Sequence, residues 1–221
     1  MKFKTEKLKY TELSIKEMTK RSIDFYNSIK NRRTVRHFDN KRMDLQIIKN
    51  AILSAGTAPN GANLQPWHFV IIKDKKIKKK IRIAAEKEEI SFYKNKAPKE
   101  WLKALEPLGT NEDKEFLEIA PILVAVFEKK YSVNKLNKIK NYYVKESVGI
   151  ATGILISALH MSGICMLTHT PSPMGFLNKI LKRPVNEKPF VLLVIGFPKK
   201  NCQIPIFSKK KKKLEEISSI F

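Results

Sequence analysis

The sequence predicts an α+β fold, with one antiparallel or mixed sheet packed by helices. Apolar stretches rich in β-branched and aromatic residues at 67–73, 120–127, 164–167 and 190–197 suit strands. Amphipathic runs lie between them, two with Asp at the capping position. Strands and helices mix along the chain without an internal repeat. The 221 residues, 43% of them hydrophobic, suit a single domain with a real core.

Taken in order, residues 12–31 form the first helix, with Ile15, Met18, Ile23, Tyr26 and Ile29 as its apolar stripe. A short basic segment follows at 32–38. Asp44 caps a second helix whose apolar positions are Ile47, Ile48, Ala51, Ile52 and Ala55, with Gly56 at its end. A polar loop then leads to the strand that begins at Trp67. Asp74 caps a third helix through Ile77, Ile81 and Ala84 to about Tyr93. Pro98, Pro107 and Gly109 among charges mark 94–112 as a mobile excursion. After the strand at 120–127, residues 129–140 read as a basic loop and 141–163 as a long central helix. Gly149 and Gly153 on that helix would let another helix approach closely. Residues 168–171 read as a turn, 171–182 as a short helix, and the tail 198–221 as a segment without a fold of its own.

The formal charge of +23 admits nucleic acid, an acidic membrane surface or an anionic ligand as partner. The basic residues are mostly Lys scattered along the chain, which favours solvated faces; a nucleic-acid module gathers Arg and aromatics on one face. Only Cys165 and Cys202 are present, without metal-ligand spacing, and two unpaired thiols suit a reducing compartment. The N-terminus has no apolar signal region. The most apolar segment, 147–164, carries three Gly, three Ser, Thr152 and His160, and reads as a buried helix rather than a membrane span. A cytoplasmic protein with no nucleic-acid or membrane partner is expected.

The loop Gly56-Thr57-Ala58-Pro59-Asn60-Gly61-Ala62-Asn63-Leu64-Gln65-Pro66-Trp67 is too polar for core and too specific for an ordinary turn. Gly61 lets the backbone approach something closely, and the neighbouring N–H groups and amides can read a planar polar ligand such as a flavin ring. Arg32, Arg33 and Arg36 sit together near a helix end. Guanidinium forks match phosphate oxygens, although a solvated basic turn has the same composition. His68 and His160 read as packed or surface side chains, and no phosphate-binding glycine motif is present.

Together, Arg-Arg-Thr-x-Arg at 32–36, Ala-Pro-x-Gly-Ala-x-x-Gln-Pro-Trp at 58–67 and Thr-x-Thr-Pro at 168–171 resemble the nitroreductase superfamily of FMN enzymes. The resemblance spans about residues 20–210 and is nearest the iodotyrosine deiodinase branch. Residues 115–123, Tyr142-Tyr143 with Glu146, and Arg183-Pro184-x-x-Glu187-Lys188 carry the match further. It implies that Arg32, Arg33, Thr34, Arg36, Pro59, Asn60, Gly61, Thr168 and Thr170 bind FMN, with Thr170 facing flavin N5. It implies that Lys210, where Arg is common, reaches the phosphate. His169 and Asn60 stand where the branch usually has Thr and Ser.

The branch grips an amino-acid zwitterion with a Glu, a Tyr four residues on and a Lys further along. Glu89, Tyr93 and Lys114 match these without a gap in the count. Four residues apart on a helix, Glu89 and Tyr93 share a face. A carboxylate answers the ammonium, while Lys and Tyr answer the carboxylate. The resemblance therefore implies reductive dehalogenation of halotyrosines by one-electron steps. The Ala62 N–H would hold the phenolate and residues 86–112 would close as a lid. It further implies an intertwined homodimer whose tail, 198–221, wraps the partner. Electrons would come from a separate reductase or NAD(P)H. A generic FMN nitro- or quinone reductase and a basic nucleic-acid-binding protein are the competing readings.

Overall fold

The computed structural model describes residues 3–134 and 137–221. The chain divides into two compact units, one ending at Arg32 and one running from Arg33 to Phe221. In the first, helix α1 (Ile15–Ile29) starts at Ser14, whose hydroxyl accepts from the Glu17 N–H at 3.2 Å. The helix forms where its 3.6-residue period requires, yet none of its residues is buried, and Ile15, Met18, Ile23 and Tyr26 are exposed.

In the second unit the elements run α2 (Leu45–Gly56), β1 (Trp67–Ile72), α3 (Lys75–Ser91), α4 (Lys99–Leu105), α5 (Phe116–Ile119), β2 (Ile122–Lys129), β3 (Tyr131–Asn134), β4 (Asn137–Lys140), α6 (Val144–Met161), β5 (Cys165–His169), α7 (Phe176–Ile180) and β6 (Glu187–Gly196). Asp44 and Asp74 cap α2 and α3 through their carboxylates, as the sequence requires. The main sheet has the order β1-β2-β6-β5 and is antiparallel throughout.

The sheet is buried on both faces. Val124 and Val126 of β2 and Val191, Leu193 and Ile195 of β6 meet α2 and α6 through Ile48, Ala51, Val148, Ala151 and Leu155. The alternate residues Leu123, Ala125, Phe127, Leu192 and Val194 meet α3, α5 and α7 through Ile81, Ala85, Leu117 and Leu177. The strict alternation is the period of 2 of a pleated strand. Buried Lys78 fastens α3 to the start of β2 by donating to the carbonyls of Glu118 (2.8 Å) and Ala120 (2.6 Å). Among the described residues no helix is long and apolar enough to cross a membrane.

Several elements differ from the sequence reading. The basic loop is a hairpin, β3–β4, with Tyr131 opposite Lys140. Asn141 anchors its base, donating to the Lys129 carbonyl at 2.8 Å and accepting from Ser132 at 3.1 Å. The excursion at 94–112 contains α4, which begins after Pro98; Gly109 in the left-handed region closes the turn that follows it. Thr168 and His169 are strand rather than turn, because they pair with Leu193 and Leu192 of β6. Only Thr170 and Pro171 leave the ladder. Helix α6 is three residues shorter at its start and two at its end than the reading of 141–163.

Candidate active site

Strand β5 is a sheet edge, and the arginine segment lies along it. Thr34 forms a parallel bridge with Met166, and the Val35 N–H donates to the Met166 carbonyl at 3.2 Å. The chain direction carries Arg36 toward the end of β5, where Thr168 and Thr170 stand exposed. Arg33 opens this segment, while Arg32 closes the preceding unit with its N–H on the Ile29 carbonyl at 3.0 Å.

At the end of β5 a cavity of about 210 Å³ brings together Arg36, Glu89, Tyr93, Lys114, Thr168 and Thr170. Three of the residues that the sequence associates with the cofactor thus share one space with Glu89, Tyr93 and Lys114 of the substrate set. Phe92, Trp101, Leu105, Leu108 and Phe116 supply its apolar side. The Phe92 ring meets Tyr93 and Trp101 edge to face, at 5.6 and 5.1 Å between centroids. Tyr93 lies in a π-helical turn over Phe92–Lys96, a widened turn often found at functional sites.

Lys114 is the most enclosed charge in the cavity, with its side chain 3% exposed. Its ammonium pairs with Glu89 at 3.2 Å, donates to the Asn111 carbonyl and lies 5.8 Å from the centre of the Tyr93 ring. The Tyr93 hydroxyl is 3.4 Å from that of Thr110. Behind this pair, Glu86 accepts from the Lys114 backbone N–H (2.9 Å) and from Arg82 (2.7 Å), and Arg82 also bonds Asp113 at 3.1 Å. These groups fix where Lys114 enters the cavity. Sequence reasoning did not single them out, though Arg82 and Glu86 show the helical i,i+4 spacing.

Arg36 is half-buried, and desolvation lowers its pKa although Tyr93 acts in the opposite sense. Among the described residues it forms no ion pair with a carboxylate. A desolvated guanidinium of this kind suits an anionic ligand.

His169 is the surprise of the site. Its side chain is 7% exposed, its ring meets Phe116 edge to face at 5.5 Å, and its Nε2 has no hydrogen-bond partner. Burial, then Lys114 and Arg36, pull its pKa down to about 3. The folded state therefore holds a neutral imidazole, whereas the unfolded chain protonates it near the ordinary value of about 6.5. Between those limits the unfolded state binds more protons, so acid removes stability. His169 should contribute a loss of up to about 1.4 kcal/mol per pH unit as pH falls through this window. His169→Phe should show a shallower decline in Tm from neutral pH to about 3, measured by calorimetry against the parent; an identical decline would contradict the assignment.

The loop 56–66 does not line this cavity. Asn60 accepts from the Gln65 N–H at 2.8 Å and donates to the Ala58 carbonyl at 3.0 Å, closing the loop on itself. Ala62, Asn63 and Gln65 all have positive φ, and exposed Ala62 sits at the apex. A Cβ at Gly61 would stand 2.9 Å from the Tyr142 carbonyl oxygen and 3.1 Å from the Tyr143 ring. What approaches Gly61 closely within the same copy is the segment that leads into α6. Gly61→Ala should destabilise the fold by about 1–3 kcal/mol through overpacking, read as a lowered Tm; an unchanged Tm would refute the contact.

Lys210 is likewise outside the cavity and exposed. The tail passes near the arginine segment earlier, where Gln203, Ile204 and Pro205 share a second cavity with Thr34 and Arg36. Thr170 also borders a third, of about 760 Å³, floored by Pro171, Met174, Pro189 and Phe190.

Residues 29–197 match the model of the nitroreductase family. The chain is 50% identical over 197 residues to an iodotyrosine deiodinase of Haliscomenobacter hydrossis, covering 89% of each chain. It is 41% identical over 204 residues to iodotyrosine deiodinase 1 of Homo sapiens, covering 91% of this chain and 70% of that one. Its fold superposes on a crystal structure of oxidised iodotyrosine deiodinase bound to FMN and 3-iodo-L-tyrosine. The TM-score is 0.74 with 30% identity, over 86% of this chain and 96% of that one.

Proposed function

The chain belongs to the nitroreductase family, and from that membership and its identity to iodotyrosine deiodinases we propose that it is an FMN-dependent reductive dehalogenase of halogenated tyrosines. Mono- and diiodotyrosine would give tyrosine and halide. The observation that carries this reading is the meeting of Glu89, Tyr93 and Lys114 with Arg36, Thr168 and Thr170 around one cavity. A generic nitro- or quinone reductase has no use for a zwitterion grip of this kind.

The residues fit the cofactor. Arg36 is a half-buried cation that, among the described residues, forms no ion pair with a carboxylate, and exposed Thr168 and Thr170 line the same cavity. Arg32, Arg33, Thr34 and Arg36 would hold the phosphate and ring edge, with Thr170 donating at N5. When bound, FMN supplies the electrons, one at a time, that with a proton replace the carbon–halogen bond by carbon–hydrogen and release halide.

The protein's own contribution is binding, orientation and exclusion of water. Within the protein Lys114 and Glu89 pair with each other. An entering zwitterion exchanges that pair for two: its ammonium takes Glu89, and its carboxylate takes Lys114 with the Tyr93 hydroxyl. Closure of 86–112 would dry these contacts and strengthen them. The phenolate would rest on the Ala62 N–H.

That last contact calls for a second copy. The loop precedes β1, the cavity lies at β5, and these strands are opposite edges of the four-stranded sheet. Three strand intervals separate them by roughly 14 Å. A homodimer in which Pro59, Asn60, Gly61 and Ala62 of one copy meet the cavity of the other removes the difficulty. The unpacked stripe of α1 and the open faces at Gly149 and Gly153, where an added Cβ would meet nothing within 4 Å, support such an association. The tail with Lys210 would wrap the second copy and reach its phosphate site. The electron donor would be a separate reductase or NAD(P)H. Free Cys165 and Cys202 suit the cytoplasm.

Titration of the FMN-loaded protein with 3-iodotyrosine tests the reading. Saturable quenching of flavin fluorescence is expected; a protein that takes up no FMN, or whose flavin ignores the ligand, would overturn it.

A further inference from the structure

We propose that His169 is a substrate-recognition residue whose Nε2–H donates to the carboxylate of the bound amino acid, alongside Lys114. The inference rests on the dehalogenase reading above and specifies which end of the substrate this chain reads most closely. Strand alternation sets the direction of the side chain. Thr168 and Thr170 share a face of β5 with Met166, while His169 shares the opposite face with Leu167. Leu167 packs in the layer of Ile81, Ala85 and Leu117, which belongs to α3 and α5. His169 thus points away from the two threonine hydroxyls and toward the elements that carry Glu89 and Lys114.

The imidazole is held there with a contact missing. Phe116 fixes its plane from the edge, the residue is part of the cavity wall, and its Nε2 is buried without a hydrogen-bond partner. Buried polar groups in folded proteins are bonded, so an orphan on a cavity wall marks a place for a ligand atom. The charges around it specify that atom. Lys114 and Arg36 both act on His169, and among the described residues no carboxylate does. A neutral imidazole between two cations can donate one N–H to an anion. Once the substrate ammonium occupies Glu89, the anion to fill this space is the substrate carboxylate.

The consequence is selectivity for the carboxylate over its absence. Affinities of the FMN-loaded protein for 3-iodotyrosine and for 3-iodotyramine, which lacks the carboxylate, should be compared in His169→Phe and His169→Gln. His169→Phe should lose about tenfold or more for 3-iodotyrosine and about nothing for 3-iodotyramine. His169→Gln, which keeps an N–H near the same place, should restore most of the loss. Equal effects on both ligands, or none, would overturn the proposal. A second measurement avoids substitution altogether. With ¹⁵N-histidine label, one of the four histidines should gain an exchange-protected Nε2–H on binding 3-iodotyrosine but not 3-iodotyramine. Unchanged imidazole signals at saturation would refute the contact. Absence of 3-iodotyrosine binding to the unsubstituted protein would instead remove the dehalogenase reading.

Discussion

Glu89→Gln is expected to weaken 3-iodotyrosine binding by about 100-fold or more while leaving FMN content unchanged. The glutamine keeps the shape of the side chain and removes only its charge. Glu89 is 15% exposed and its partner Lys114 3%, so neither charge can recover its loss from water. Leaving one member of a buried pair unanswered costs roughly 3–5 kcal/mol, which is about two to four orders of magnitude in affinity. In the complex the unanswered charge is the substrate ammonium. In the free protein it is Lys114, which has the Asn111 carbonyl and the Tyr93 ring as lesser partners. Fluorescence titration reads the effect, with Glu100→Gln on exposed α4 as the control. Affinity within a few-fold of the parent would place the zwitterion elsewhere.

Arg36→Ala is expected to weaken FMN binding by about 100-fold, with Arg36→Lys recovering only part. A charge-assisted hydrogen bond contributes about 1.5–3 kcal/mol, and a guanidinium can make two in parallel to one phosphate or ring edge. Lysine restores the charge without the fork. The bridge between Thr34 and Met166 holds the segment in place independently of the Arg36 side chain, so the substitution should leave the fold intact. Titration of apoprotein with FMN measures the constant. Undiminished affinity would mean that Arg36 serves the substrate alone.

The elements that build the scaffold were legible because their signals are local. Asp44 and Asp74 precede amphipathic runs and cap them, and the run from Ile122 to Phe127 is apolar at every position because both faces of β2 are covered. The hairpin β3–β4 was not legible: its strands, polar β3 and Lys-bearing β4, pair at the surface and are stabilised by Asn141 from outside the hairpin. Glu89, Tyr93 and Lys114 were singled out by the resemblance to the deiodinase branch, and the structure brings them to one cavity. His169 was visible only as a departure from the branch's usual residue. Its burial depends on β5 continuing its pairing with β6 through Thr168 and His169, two residues beyond the strand end the sequence suggests. The loop 56–66 was recognised by composition, but Gly61 answers to Tyr142, which lies 81 residues further along the chain.

The proposed reaction at this cavity, with FMN and a second copy completing it, is removal of halogen from a tyrosine ring. The most direct measurement is an anaerobic single turnover of chemically reduced, FMN-loaded protein with 3-iodotyrosine, with both products quantified. Tyrosine and iodide in equal amounts, formed as the flavin reoxidises, are predicted. Reoxidation by a nitroaromatic under the same conditions, with 3-iodotyrosine left intact, would contradict it.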